Sequence, residues 1–281
     1  MFLLILIGSL VMFGRQGPPT EFRDANEALS ALDRMTEGDR MGTDVKAYHY
    51  FTSHPDESIP LLIDFTLRHK HRYHVSVRAL SKIKDERVIT FFIDLADAEL
   101  YKVANSPGNS CDPYCYSPEG LIALLIVEMG NYGNERAIPV IEKSSGRLND
   151  SHRESDMEAL CKLGKISIDE LCEWHKGSAE NLLQIASTNR YANPKFSVEM
   201  YDWIVKRFPQ RQELLKDCHI GKVMALYNAR EYEPAISECE IIRQLPDGDS
   251  AAEISFTIDH RSYTLSKMIE LLKAKIGAGG R

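Results

Sequence analysis

Imidazoles, thiols and indoles are the side chains of this 281-residue sequence whose spacing could carry chemistry. The densest group is His69-Lys70-His71-Arg72-Tyr73-His74, with His49 and His54 upstream. Closely spaced neutral imidazoles are zinc or copper ligands, and His71 and His74 share a face if a helix has begun there. Lys70 and Arg72 are interleaved, and no cysteine or carboxylate stands at a ligand-like spacing. His69, His71 and His74 therefore weigh as metal candidates against a solvated cationic turn between two helices. In that second reading Lys70 and Arg72 are candidate contacts for an anionic partner.

The six cysteines fall in three pairs. Cys111 and Cys115 bracket Asp-Pro-Tyr; the spacing is not Cys-x-x-Cys and no second half follows, so a local disulfide stands against surface thiols and against a metal or redox pair. Cys161 and Cys172 lie about a turn at Lys165–Ser167, and Cys218 and Cys239 about a turn at Ala229–Glu231. Residues equidistant from the turn of an antiparallel helical hairpin face each other, and a disulfide needs a Cα separation of ~4.4–6.8 Å. All six are candidate disulfide partners, with buried thiols as the alternative.

No G-x-S-x-G, H-E-x-x-H, Gly-rich phosphate loop or paired-carboxylate motif occurs, so no catalytic residue and no cofactor is expected. The second half is rich in aromatics: Trp174 beside His175, Trp203, Tyr191, Tyr201 and Tyr232. Aromatics at helical spacing read first as core, and Trp174 and Trp203 are the candidate anchors for a bound segment.

Side chains so scattered need a scaffold to bring them together. The chain carries 34 basic and 41 acidic residues, a net charge of −7, with 43% hydrophobic and 27% charged residues. That is globular composition, and it argues against a nucleic-acid partner, which needs a concentrated basic face. Phe2–Phe13 (FLLILIGSLVMF) is uncharged and as a helix rises only ~18 Å, short of a ~30 Å bilayer core. Residues 1–14 therefore read as a signal peptide or membrane anchor, with a buried first helix as the alternative, and 15–19 as a linker. The expectation is an exported protein (periplasmic, extracellular or membrane-anchored), with a cytoplasmic location as the alternative. Any membrane contact is expected only through an uncleaved N-terminal segment.

Internal similarity organises the rest. Ala79-Leu80-Ser81-Lys82-Ile83 precedes Asp85-Glu86-Arg87-Val88, Met129-Gly130 precedes Asn134-Glu135-Arg136-Ala137-Ile138, and Ala159-Leu160-Cys161-Lys162-Leu163-Gly164-Lys165-Ile166 echoes the first of these. These elements resemble HEAT repeats of the type also found in phycobilisome lyases, over about residues 60–166. Ser81 stands where that family usually has Gly, and residues 104–119, rich in Pro, Ser, Asn and Gly, lengthen one repeat. Ser117-Pro118 starts the next helix, Ser167-Ile168-Asp169-Glu170 is a capping box, Gly177-Ser178 breaks and restarts a helix, and Asn193-Pro194 opens one that Pro209 stops. Residues 218–246 resemble a single tetratricopeptide hairpin, with Leu226-Tyr227 before the turn and Ala235 at the close contact, although Val223 stands where that family prefers Gly.

No alternating run is long enough for a sheet, so the fold expected is all-α. The resemblances imply an α-solenoid, a right-handed superhelix of stacked antiparallel helix pairs. Residues 20–276 would form one array: HEAT-like 56–166, helical 167–217, TPR-like 218–246 and a C-terminal helix 250–275, before a loose tail at 277–281. Such arrays bind along extended faces. The function expected is a non-catalytic scaffold that binds a protein or peptide. The alternatives are a chromophore-lyase-like or other enzyme-associated HEAT protein, and a structural component of an envelope assembly.

Overall fold

A computed structural model of the chain describes residues 22–34, 43–69, 72–105, 117–148, 150–245, 255–258 and 261–279. Residues 1–14, expected as a signal peptide or anchor, residues 111–115, Lys70 and His71 lie outside the described residues. Those described form fourteen α-helices and one two-stranded antiparallel sheet, an all-α protein. Among them no helix is long and apolar enough to cross a membrane. Two compact units divide at Glu128 and Met129.

The first unit holds α1 (Ala25–Asp33), α2 (Thr43–Ser53), α3 (Pro55–Arg68), α4 (Tyr73–Ser81), α5 (Glu86–Asn105) and most of α6 (Pro118–Tyr132). Each of α1 to α3 packs on the helix that follows and on the next but one. Phe51, Leu62, Leu80, Phe92 and Leu100 are wholly buried between them, each worth roughly 1.5–3 kcal/mol of transfer from water. Polar ties fix the packing. Glu57 on α3 accepts from the backbone of Ala25 at 2.8 Å, and Thr66 Oγ1 donates to Ser76 Oγ at 2.7 Å between α3 and α4.

The second unit continues through a 3-10 turn (Glu135–Ala137) into α7 (Ile138–Ser145), α8 (Asp150–Lys162), α9 (Ile168–Trp174), α10 (Ala179–Asn189), α11 (Pro194–Arg207), α12 (Gln212–Ala229) and α13 (Tyr232–Gln244). The starts follow the sequence signals. Ser167 and Glu170 form the reciprocal capping box, Ser178 accepts from Asn181 N at 3.2 Å, and Asn193 caps α11 with Pro194 in its first turn. One core gathers Leu171, Leu182, Met200, Tyr201 and Ile204; a second gathers Val223, Ala235, Ile242, Phe256, Met268 and Leu272. On α12, Gly221 is needed as glycine. A Cβ there would run into the ring of Tyr201 on α11.

The C-terminal segment differs from the helix expected over 250–275. β1 (Ser255–Ile258) and β2 (Arg261–Thr264) pair antiparallel, Phe256 opposite Tyr263 and Ile258 opposite Arg261, and α14 (Leu265–Gly279) follows. Ser-Phe-Thr-Ile alternates with a period of two, so Phe256 and Ile258 point into the second core while Ser255 and Thr257 face water. Packing against α14 supports a ribbon this short.

Candidate functional site

Two open clefts flank the seven-residue α9, and both lean on α8. The first, of about 500 Å³, lies where α8 turns into α9 and is lined by Cys161, Lys165, Ser167, Glu170, Phe196 and Glu199 among others. Its polar groups are already engaged. Glu170 accepts from Ser167 N at 2.7 Å and Ser167 Oγ at 2.9 Å, Lys165 pairs with Glu142 at 3.1 Å, and Glu199 stands 4.0 Å from Lys195. Burial, reinforced by Glu199, Glu158 and Glu170, pushes the Cys161 thiol up to about 12 and leaves it no nucleophile.

The second cleft, of about 480 Å³, lies where α9 turns into α10 and is lined by Arg153, Trp174, His175, Lys176 and Asn181. Among the described residues no carboxylate lines it. Arg153 on α8 is held by a bond from its Nε to Ser145 O at 3.2 Å. Trp174 remains 37% exposed, its ring edge-on to His175 at 4.9 Å. The indole N–H of Trp174, the ammonium of Lys176 and the side-chain amide of Asn181 have no partner among the described residues. His175 is buried, with Nδ1 3.8 Å from Glu154 and Nε2 unbonded. A buried nitrogen without a partner is uncommon and costs of order 1–3 kcal/mol.

Backbone geometry places the lysine. At the end of α9, Gly177 N donates to Cys172 O and Lys176 N to Glu173 O, both at 2.9 Å, the closure that puts one residue in the left-handed region. Lys176 takes that position at φ 57°, where glycine is usual, and Gly177 after it is left-handed as well, at φ 71°. The same closure ends α8, with Lys165 N on Leu160 O and Gly164 N on Cys161 O, and there the left-handed residue is Gly164 at φ 71°.

Two buried polar clusters seat α8. Lys162, its side chain 1% exposed, pairs with Glu158 at 2.6 Å, donates to Asn131 at 2.8 Å and lies over the Phe196 ring; Asn189 also donates to Glu158 at 3.0 Å. Nearer the second cleft, Asp156 is wholly buried, accepting from Ser145 Oγ at 3.1 Å and Ser144 Oγ at 3.5 Å, with Oδ1 unpartnered. Burial pushes its carboxyl up to about 6 against those hydroxyls and Arg153. A third cluster ties α11, α12 and α13: Glu238 takes His219 Nδ1 at 2.7 Å and Lys222 Nζ at 2.6 Å, and Lys222 also reaches Asp202 at 2.6 Å. Burial alone would raise Glu238, but the bonds from His219 and Lys222 outweigh it and hold the carboxyl below its ordinary value.

The other residues singled out by sequence fall as follows. His69 stacks on Phe65 at 4.4 Å and His74 meets Tyr73 edge-on at 6.2 Å. Arg72 reaches Asp33 on α1, donating to Oδ2 at 3.1 Å and to the backbone carbonyl, so its guanidinium braces the first unit. Among the described residues no three His, Cys, Asp or Glu gather as a metal site. Trp203 is half-buried, and its indole N–H is taken by Asp169 at 3.1 Å, bolting α11 to α9.

The pairings expected for Cys161 with Cys172 and for Cys218 with Cys239 are not formed. All four are buried free thiols. The helices explain why. Cys161 lies in the last turn of α8 but Cys172 in the second turn of α9, and Cys218 is about three turns from the end of α12 while Cys239 is only about two into α13. Neither pair is equidistant from its turn, and Cys218 packs in the first core while Cys239 packs in the second. Burial pushes Cys218 and Cys239 up to about 12.

Sequence reasoning found Trp174 and His175 but missed Lys176, Arg153 and Asn181. The signal available was a lysine immediately before Gly177 at a helix end, where the chain needs a left-handed residue. No family model, curated protein or solved structure matches the chain.

Proposed function

We propose that this protein is a non-catalytic scaffold that binds a protein or peptide, and that its helices stack as HEAT- and TPR-like pairs of an α-solenoid. The packing within each unit is what such an array requires, since a helix pair that cannot bury its own apolar faces gains a core by stacking on its neighbours. The observation that carries the binding reading is the second cleft. There an exposed indole stands beside the Lys176 ammonium and the Asn181 amide, which have no partner among the described residues. Indoles in such half-open settings dominate binding energy at interfaces. Tyr191, 66% exposed on the α10–α11 turn, adds a second large apolar surface to this unit.

Affinity capture from the native host with the immobilised full chain tests the reading. A protein retained by the wild type and lost on Trp174→Ala supports it. Retention unchanged by Trp174→Ala, or nothing retained, counts against it.

A further inference from the structure

We propose that the cleft between Arg153 and the α9–α10 turn recognises a carboxylate-rich segment of a partner protein. The proposal rests on the scaffold reading and names the ligand class of its site. Every side chain lining the cleft brings a hydrogen-bond donor: the Arg153 guanidinium, the Trp174 indole N–H, the Lys176 ammonium, the Asn181 amide and the His175 ring. Among the described residues no Asp or Glu lines it, in a chain whose acidic residues outnumber its basic ones by seven. The ligand that satisfies such a lining is an acceptor with negative charge, and carboxylates take charge-assisted bonds from both arginine and lysine. Trp174 supplies an apolar wall, so the segment recognised is acidic with an apolar or aromatic residue beside its carboxylates.

The companion cleft sharpens the assignment. It has similar volume, stands at the other end of α9, and its cation and carboxylates are engaged within the chain. The two helix ends close by the same pair of backbone bonds, yet Gly164 takes the left-handed position at the engaged cleft and Lys176 takes it at the open one. A non-glycine residue in that region is uncommon and is held at a cost in strain. At the open cleft the strained residue is the one that puts on the rim an ammonium with no partner among the described residues.

The test pans a displayed library of random dodecapeptides against the full chain, then titrates the enriched peptides by fluorescence anisotropy. Decaglutamate and decalysine serve as defined probes. On a Trp203→Phe background Trp174 is the sole indole of the chain, and its emission reports occupancy of the cleft. Expected are acidic enriched peptides, binding of decaglutamate but not decalysine, weaker binding from 50 to 200 mM salt, and at least a fivefold loss of affinity in Lys176→Gly. Lys176→Gly retains the fold, because glycine is the residue its backbone favours. Lys195→Glu, a charge reversal on α11 outside both this cleft and its lining, changes affinity less than twofold. Enriched peptides that are not acidic, or that bind Lys176→Gly as tightly as the wild type, overturn the assignment and leave the scaffold reading standing. A library from which no peptide enriches overturns both.

Discussion

The last turn of α8 and its middle are seated in opposite ways. At its C-terminal end Lys162 is buried in a complete set of partners, Glu158, Asn131 and the Phe196 face, with Asn189 bonded to the same carboxylate; the turn that follows uses glycine, and the cleft beside it has its charges engaged. One to two turns earlier, Asp156 is buried with only hydroxyls to donate to it and one oxygen orphaned, and the cleft on that side is rimmed by Lys176 in a strained backbone and by the Asn181 amide, neither side chain partnered among the described residues. Where polar groups are satisfied internally, the structure is firm and chemically quiet. Where they are left unsatisfied, the fold is weakened locally and the surface above remains available to a ligand.

The contrast is broken most severely at the firm end. Glu158→Ala strips the buried Lys162 of its carboxylate and is expected to cost about 3 kcal/mol, because an unpaired buried charge is far worse than none. Both tryptophans lie in the second unit, so the urea midpoint read by their emission measures it. Glu158→Gln, which keeps the bond from Asn189 or Lys162, should recover part of the loss.

At the strained end the sign reverses. Asp156 has a folded pKa of about 6 against an ordinary value of 3.8, so the folded state binds the proton more tightly. Its contribution is fully present below about pH 4 and is lost as pH rises through 6. Asp156→Asn is therefore expected to stabilise the unit by about 2 kcal/mol at pH 7 and by little at pH 4. Thermal denaturation of wild type and variant across pH 4–7 checks it; a constant difference over that window would remove Asp156 from the comparison.

The smallest effects compare the two helix ends directly. Gly164→Ala puts a Cβ at φ 71° and should lose about 1 kcal/mol, whereas Lys176→Gly relieves φ 57° and should gain about 0.5–1 kcal/mol. Opposite signs at the same hydrogen-bonded closure, measured by denaturation midpoints, are the signature of a strained lysine; a loss at both sites would mean that Lys176 is held by packing instead.

Much of the fold is legible locally. Ser167 with Glu170, Ser178, and Asn193 with Pro194 start helices where their side chains predict, because a cap depends on residues three apart. The β1–β2 ribbon is missed because its strands are four residues each, too short for alternation to stand out from a helical pattern, and its support comes from packing against α14. The disulfide expectation fails because helix ends shift by a few residues, enough to bring the cysteines out of opposition. Of the cleft, Trp174 is visible as an aromatic, but Arg153 lies 21 residues earlier and reaches the rim only through the packing of α8, which no local pattern encodes. His219, Lys222 and Glu238 are hidden for the same reason: the spacing of the first two is ordinary for a solvated helix face, and only α13 turns it into an interior network.

The missing side chain at Gly221 has a consequence for how α11 and α12 are aligned. The Tyr201 ring occupies the gap that a Cβ would fill, so the two helices meet in a notch one residue wide. Sliding α12 by about one turn would bring Asp217 or Ala225 under the ring, and either carries the Cβ for which there is no room. The seam therefore has a single register, and the positions of Asp202, His219 and Lys222 relative to one another follow from the absence of one methyl group.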